Sequence, residues 1–246
     1  MAFSNCGHVT HVGNVRGHNE DCYEVDAEFN FGVLADGMGG HEGGEIASRI
    51  VVDCVSREIR GGRPMPEALV LAHHEVRRAA KNGEGKPGMG STVVALKLDN
   101  GVFDVVWVGD SRGYVWDGNQ LKQITKDHSL VQHMVDEGSI TAEEALVHPQ
   151  RNYITQAIGM SELQTMEVGR VQGRLLDGHQ ILLCSDGLSG ELSNAEIIEI
   201  LKLDLNERQK VDLLIQKSLD NGGTDNVTAL LVTAKVENAS ELVHSP

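Results

Sequence analysis

Along the chain, short apolar runs with a two-residue alternation give way to stretches of 3.6-residue period and then return, and this order predicts the elements. A loose alternation over residues 7–15 and the compact run Phe31 to Ala35 read as strands. Ile46, Ala47, Ile50, Val51, Cys54, Val55 and Ile59 then share one helical stripe, which predicts a helix over about 45–60. A second stripe, Ala68, Leu69, Ala72, Val76 and Ala79/Ala80, predicts another from Pro66 to Lys81. Four β-like runs follow, Ser91–Leu98, Phe103–Val108, Gly113–Trp116 and Leu121–Ile124, separated by D-N-G, G-D-S-R-G and D-G-N turns, and they predict a meander of antiparallel hairpins. Residues 127–153 break the sheet pattern with polar helical sequence and a capping box at Thr141-x-x-Glu144, as a flap on the domain would. Strands are expected again at Tyr153–Ala157, Met166–Val171, Gln180–Ser185 and Val227–Val232, with helices near 193–202, behind the box Ser193-x-x-Glu196, and 206–219. His73 and His74 read as surface histidines, since His74-Glu75 is not continued into a metal-binding H-E-x-x-H.

The chain shows no repeat, no Pro/Ser-rich linker and no long charge run, so one domain over 1–236 with a polar tail at 237–246 is the expectation. Charge narrows the function classes. With 21 basic against 36 acidic residues, a net charge of −15, a general basic field for nucleic acid is missing. An acidic chain that handles phosphate must bring local arginines or metal ions. Cys6, Cys22, Cys54 and Cys184 lack the spacing of a zinc knuckle and suit reduced thiols. No signal pattern or membrane-length apolar run is read, so a soluble cytoplasmic protein is expected.

The candidate chemistry lies where apolar strands stop. Asp36, Asp110, Asp186 and Asp225 each flank an apolar run, and three of them are followed by Gly or Ser. Glu20 and Asp21 stand near Arg16 in the loop Arg16-Gly-His-Asn-Glu-Asp21. If these acids meet, like charges about 4 Å apart repel by several kcal/mol at moderate dielectric, and cations are the simplest resolution. All-oxygen ligation points to Mg²⁺ or Mn²⁺ rather than zinc.

Other motifs compete and fail on context. Cys54-x₅-Arg60 has the outline of a cysteine phosphatase, but its intervening residues lie mid-helix and Cys54 falls on the apolar stripe. Gly109-Asp110-Ser111-Arg112-Gly113 fits G-x-S-x-G, yet a strand on each side makes it a hairpin turn rather than a strand-to-helix elbow. The glycine-rich 37–44 stretch holds no G-x-x-x-x-G-K phosphate loop.

Arg16-x-x-Asn19-Glu20-Asp21, Ala35-Asp36-Gly37-Met38-Gly39-Gly40, Gly90-Ser91-Thr92, Val108-Gly109-Asp110-Ser111-Arg112, Asp127-His128-Ser129, Ser185-Asp186-Gly187-Leu188 and Gly223-Thr224-Asp225-Asn226 occur in a set order. In this the chain resembles the metal-dependent type 2C (PPM) serine/threonine protein phosphatases over residues 7–234, in the compact bacterial form. The resemblance implies an α+β fold, a four-layer α/β/β/α sandwich of two antiparallel sheets flanked by helix pairs. It implies a phosphoserine/phosphothreonine hydrolase using two to three Mn²⁺ or Mg²⁺ ions and a metal-activated water that attacks phosphorus in line. Asp36 would bridge two metals. The Gly37 carbonyl would hold one of them, Asp186 and Asp225 the other, with Glu20 near it, and Asp110 would hold a third. Arg16 would bind the phosphate, and Asp21, Asn19 and Asn226 would support the ligands. Where eukaryotic members have histidine in D-G-H-G-G, this chain has Met38, so a water at the metals or His41 is expected to protonate the leaving group. The implied partners are phosphorylated proteins and a Hanks-type kinase, with a monomeric enzyme and no nucleic acid or membrane. Two rivals stay open: a serine hydrolase using Ser111, and an inactive regulatory scaffold of the same fold.

Overall fold

Eleven strands part into two antiparallel sheets, with helices on the outside of each, among the described residues 5–40, 42–160 and 166–236 of this computed structural model. The chain opens with β1 (Cys6–His11), β2 (Asp21–Asp26) and β3 (Phe31–Met38), then the helices α1 (Glu42–Arg60) and α2 (Met65–Asn82). β4 (Gly90–Ser91), β5 (Val93–Asp99), β6 (Val102–Val108), β7 (Arg112–Trp116) and β8 (Leu121–Gln123) follow, and after them the short helices α3 (Leu130–Asp136) and α4 (Ala142–Leu146). β9 (Gly169–Arg174), β10 (Gln180–Cys184), α5 (Asp186–Ser189), α6 (Asn194–Leu201), α7 (Glu207–Asn221) and β11 (Val227–Thr233) complete the order. One sheet runs β1-β11-β10-β7-β8, the other β2-β3-β5-β6-β9 with β4 on β3.

The central strands are apolar at nearly every position because both of their faces are covered. On β3, Val33 and Ala35 meet α1 and α2, while Leu34 points at the opposite sheet. On β10, Leu183 faces that same inner layer and Leu182 packs under α6 and α7. Three apolar layers result: α1/α2 on one sheet, sheet on sheet, and the second sheet on α5–α7. This is the expected α/β/β/α sandwich. The capping boxes read at Thr141/Glu144 and Ser193/Glu196 both form, and Asn206/Gln209 adds a third ahead of α7.

Four local expectations change. The predicted meander is cut in two: β5 pairs with β6 and β7 with β8, but β6 and β7 lie in different sheets. Gly109-Asp110-Ser111 is therefore a crossing between sheets rather than a hairpin turn, eased by Gly109 at φ 106°. Tyr153–Ala157 forms no strand; isolated bridges Ser129↔Ile154 and Ser91↔Ile158 replace it. Asp21–Asp26 is a strand at a sheet edge that its acidic sequence concealed, and β9 starts at Gly169, later than the apolar pattern suggested. His73 is buried rather than superficial, its Nδ1 accepting the Gly159 amide at 3.1 Å, whereas His74 is exposed.

Candidate metal centre

The two sheets deliver acids to one end of the sandwich. Pairing of β2 with β3 sets Asp21 opposite Asp36, and the Gly37 amide donates to the Glu20 carbonyl at 3.1 Å. Asp110 lies in the sheet-to-sheet crossing, Asp186 opens α5 straight after β10, and Asp225 stands two residues ahead of β11. These acids sense each other. Burial first, then Asp21, Asp186, Asp110 and Asp225 in turn, push the Asp36 carboxyl well above the usual range. Burial and Asp186 raise Asp110 to about 8. Burial and Asp225 raise Asp186, which is within hydrogen-bond reach of Asp36, so the two carboxyls can share a proton. Asp21 rises to about 7 through burial, against two hydrogen bonds that favour its charged form.

Those bonds show how the cluster is held. Asp21 Oδ2 accepts from Thr228 Oγ1 at 2.6 Å and Ser185 Oγ at 2.9 Å, which ties the β2 edge of one sheet to the other. Asn226 acts as a staple: its amide nitrogen donates to the carbonyls of Val12 and His18, and its Oδ1 accepts the Glu20 amide at 2.8 Å. The Asp36 backbone is fixed by Thr92 N and Ser91 Oγ on its carbonyl, at 2.8 and 3.0 Å. Gly37 lies against Gly44, where a Cβ would come within 2.1 Å of the Gly44 carbonyl oxygen. A Cβ on Gly44 would in turn meet the Glu20 carboxylate at 2.6 Å, so two glycines let α1 sit close behind the acids. Arg112 forks onto Asp127 at 2.7–3.1 Å, and Gly109 exchanges bonds with His128, its amide to the ring Nδ1 and its carbonyl from the His128 amide. The base of 127–153 is thereby clamped to the loop carrying Asp110.

Do these residues suit divalent ions? Asp21 Oδ1, Asp110 Oδ1 and Asp186 Oδ1 are buried with no hydrogen-bond partner among the described residues. Such atoms cost about 1–3 kcal/mol each when unsatisfied, and a cation removes that cost together with the mutual repulsion. Every donor in the cluster is a carboxylate or carbonyl oxygen, the set that hard ions prefer. Among the described residues no three acidic, His or Cys side chains already close into a ligand shell. One contact against it is visible: Asp225 is turned onto Arg16 at 2.7 Å. In the chemistry of its donors the set fits the ions.

Of the sequence-predicted residues, Asp36, Asp110, Asp186, Asp225, Glu20 and Gly37 come together at this end. Arg16 reaches it through Asp225. His41 lies outside the described residues, as does the tail 237–246. Ser111 is buried and its hydroxyl is engaged with Thr92 Oγ1 at 2.7 Å, and among the described residues no histidine is bonded to it to act as the base a nucleophile needs. Sequence reasoning missed Gly44, Ser185 and Thr228. The S-D-G and T-D-N motifs pass next to Ser185 and Thr228 without showing that both hydroxyls converge on Asp21.

Residues 17–232 match the sequence model of the protein phosphatase 2C family. A serine/threonine phosphatase, stp, of Listeria welshimeri is 34% identical over 236 residues, 91% of this chain and 93% of that protein. The serine/threonine protein phosphatase PstP of Mycobacterium tuberculosis is 39% identical over 229 residues, 89% of this chain but 43% of that longer protein. A crystal structure of the catalytic domain of PstP in complex with two manganese ions superposes with a TM-score of 0.81 at 33% identity, covering 94% of this chain and 98% of the other. The acid cluster at the sheet edges and these matches agree, and the chain belongs to the protein phosphatase 2C family of metal-dependent serine/threonine phosphatases.

Proposed function

We propose that this chain hydrolyses phosphoserine and phosphothreonine monoesters of intracellular proteins, opposing a Hanks-type kinase as a cytoplasmic monomer, with two to three Mn²⁺ or Mg²⁺ ions. The observation that supports the site assignment is the gathering of buried acids at one end of the sandwich, with Asp21 paired opposite Asp36 and Asp21 Oδ1, Asp110 Oδ1 and Asp186 Oδ1 left without a hydrogen-bond partner among the described residues. Asp36 would bridge two ions, the Gly37 carbonyl would complete one site, Asp186, Asp225 and Glu20 the other, and Asp110 a third. When bound, such ions supply a water that is nucleophilic at neutral pH and positive charge over the phosphoryl oxygens.

The chain's own residues do the rest. Arg16 presents a planar, permanently charged fork at the mouth of the cluster, suited to hold two oxygens of a phosphate and aim its ester bond away from the acids. The buried carboxylates repel the substrate dianion in proportion to their charge, so cation loading must precede productive binding. Met38 offers no proton to the departing alkoxide. His41, three residues on, is the candidate to supply it. Residues 127–153, anchored through Asp127 and His128, would act as a flap that selects the protein substrate. The absence of a base for Ser111 disfavours a serine hydrolase, and the filled acid positions disfavour an inactive scaffold. Among the described residues no helix is long and apolar enough to cross a membrane.

The test is turnover of p-nitrophenyl phosphate and a phosphothreonine peptide with Mn²⁺, with EDTA, and in Asp36→Ala and Asp225→Ala. Activity on both substrates that vanishes with EDTA and in each variant supports the reading. Manganese-dependent turnover by Asp36→Ala would remove it from the bridging position, and EDTA-resistant turnover would return Ser111 to consideration.

A further inference from the structure

Away from the acid cluster, the C-terminal half of α2 carries a strongly basic hollow on this acidic molecule. His74, Arg77, Arg78, Lys81 and Asn82 line a cavity of about 300 Å³, and every one of them can donate hydrogen bonds while none is acidic. Their spacing, with intervals of three and four residues, puts them along one helix face. The bland account of basic residues here is compensation of the helix dipole. It covers Lys81, in the last turn, but Gly83 already caps the Ala79 and Ala80 carbonyls, and Arg77 and Arg78 lie a turn further back. Nor are these cations absorbed by neighbours. Glu75, the acid nearest along the helix, is bound to Arg57 at 3.0 Å and stands 3.8 Å from Arg78, which is 71% exposed. Among the described residues Arg77 and Lys81 enter no ion pair.

The hollow is wired to the metal end by a short contact chain. The His74 ring packs edge-on against His73, whose Nδ1 takes the Gly159 amide. Ile158 exchanges both backbone bonds with Ser91, and Ser91 Oγ donates to the Asp36 carbonyl. This chain runs through buried His73, Ile158 and Ser91, so the hollow and the acid end are joined through the interior of the molecule.

Resting on the phosphatase reading above, we propose that this hollow docks a second phosphate of the substrate protein, one other than the group being hydrolysed. A phosphate concentrates about two negative charges and three acceptor oxygens in one group, which matches a hollow lined by two guanidinium forks, Lys81 and His74. A run of carboxylates would spread the same charge over several residues and meet the repulsion of a surface with net charge −15. Multiply phosphorylated segments would then be held while one site is cleaved.

The experiment uses the full chain with Mn²⁺ and peptides bearing one phosphothreonine plus, 4, 8 or 12 residues away, an unmodified serine, a glutamate or a non-hydrolysable difluorophosphonate. The expected result is a KM lower on the order of tenfold for the phosphonate peptide at one or more spacings, with kcat unchanged. Arg77→Gln/Arg78→Gln should erase that advantage and leave p-nitrophenyl phosphate turnover intact, which also reports that the variant is folded. In parallel, fluorescence anisotropy in EDTA should show the phosphonate-only peptide binding wild type more tightly than the variant. This arm decides the docking question even if no phosphothreonine is turned over, an outcome that would instead sink the proposed activity. Equal KM values at every spacing, an advantage that survives in the variant, or glutamate serving as well as phosphonate would each overturn the phosphate site.

Discussion

Arg16 Nη2 lies 2.7 Å from Asp225 Oδ2, so the guanidinium expected to receive phosphate is engaged by a carboxylate expected to receive a metal. The pair is exposed, 55% and 34%, and contributes less than about 1 kcal/mol to folding. On the proposed site assignment its importance is functional: a cation at Asp225 would free Arg16 to face the substrate. Arg16→Ala should raise KM for a phosphopeptide roughly tenfold, and Arg16→Lys should recover only part, because an ammonium lacks the planar fork. Both variants should melt within a degree or two of wild type. Full recovery by lysine would show that charge alone, without bidentate geometry, serves this position.

In EDTA the protein should lose stability as pH rises from about 5 to 8. Asp21, Asp36, Asp110 and Asp186 have folded-state values raised above their unfolded ones, to about 7 for Asp21 and about 8 for Asp110. Between the unfolded and folded values the native state holds more protons, so unfolding free energy falls with pH. Thermal melts in EDTA across that window measure it, and Mn²⁺ should flatten the slope. Asp36→Ala, relieved of the repulsion, should melt higher than wild type at pH 8 in EDTA. A slope of opposite sign would mean the acids do not face one another.

Gly44→Ala separates helix propensity from the site. Alanine inside a helix is worth up to about 1 kcal/mol over glycine, yet here its Cβ would press on the Glu20 carboxylate and on the Gly37 carbonyl carbon, at 2.6 and 2.9 Å. We expect Mn²⁺ affinity, measured by calorimetry, to drop at least tenfold, with Gly43→Ala as the control that does not do so. Unchanged affinity in Gly44→Ala would place Glu20 outside the metal shell.

Cys54→Ser should keep its activity. Cys54 is fully buried on the α1 stripe, accepts from Arg57 Nη2 at 3.4 Å, and burial pushes its thiol up to about 11, the reverse of an activated nucleophile. A loss of about 1–2 kcal/mol in denaturant unfolding is expected from placing a hydroxyl in an apolar layer. A folded but inactive variant would restore the cysteine mechanism.

Residues 132, 133 and 137 test the flap. Gln132 bonds Asp136 and His133 pairs with Glu137 on α3, and none of Gln132, His133 and Glu137 takes part in the clamps made by Asp127 and His128. Replacing Gln132, His133 and Glu137 with alanine should change phosphopeptide kcat/KM severalfold and leave p-nitrophenyl phosphate untouched at saturating Mn²⁺. Equal losses on both substrates would mean that the segment shapes the metal site itself.

Sequence alone determined the features whose cause is local. Helical stripes on α1 and α2, the capping boxes at Thr141 and Ser193, and the acids flanking apolar runs at Asp36, Asp110, Asp186 and Asp225 all depend on residues a few positions apart. Tertiary structure decided what depends on which sheet a strand enters. β6 and β7 looked like neighbours in a hairpin, yet a strand pairs with whichever edge buries both its faces, so the chain crosses at Asp110 and carries that acid between the sheets. The same holds for Asp21, whose carboxylate is held by Ser185 and Thr228 from more than 160 residues away, and for Gly44, whose missing side chain matters because Glu20 and Gly37 pack against it. Hydrogen bonds and close approaches between remote segments leave no periodicity in a sequence; they exist only once burial has chosen the layers.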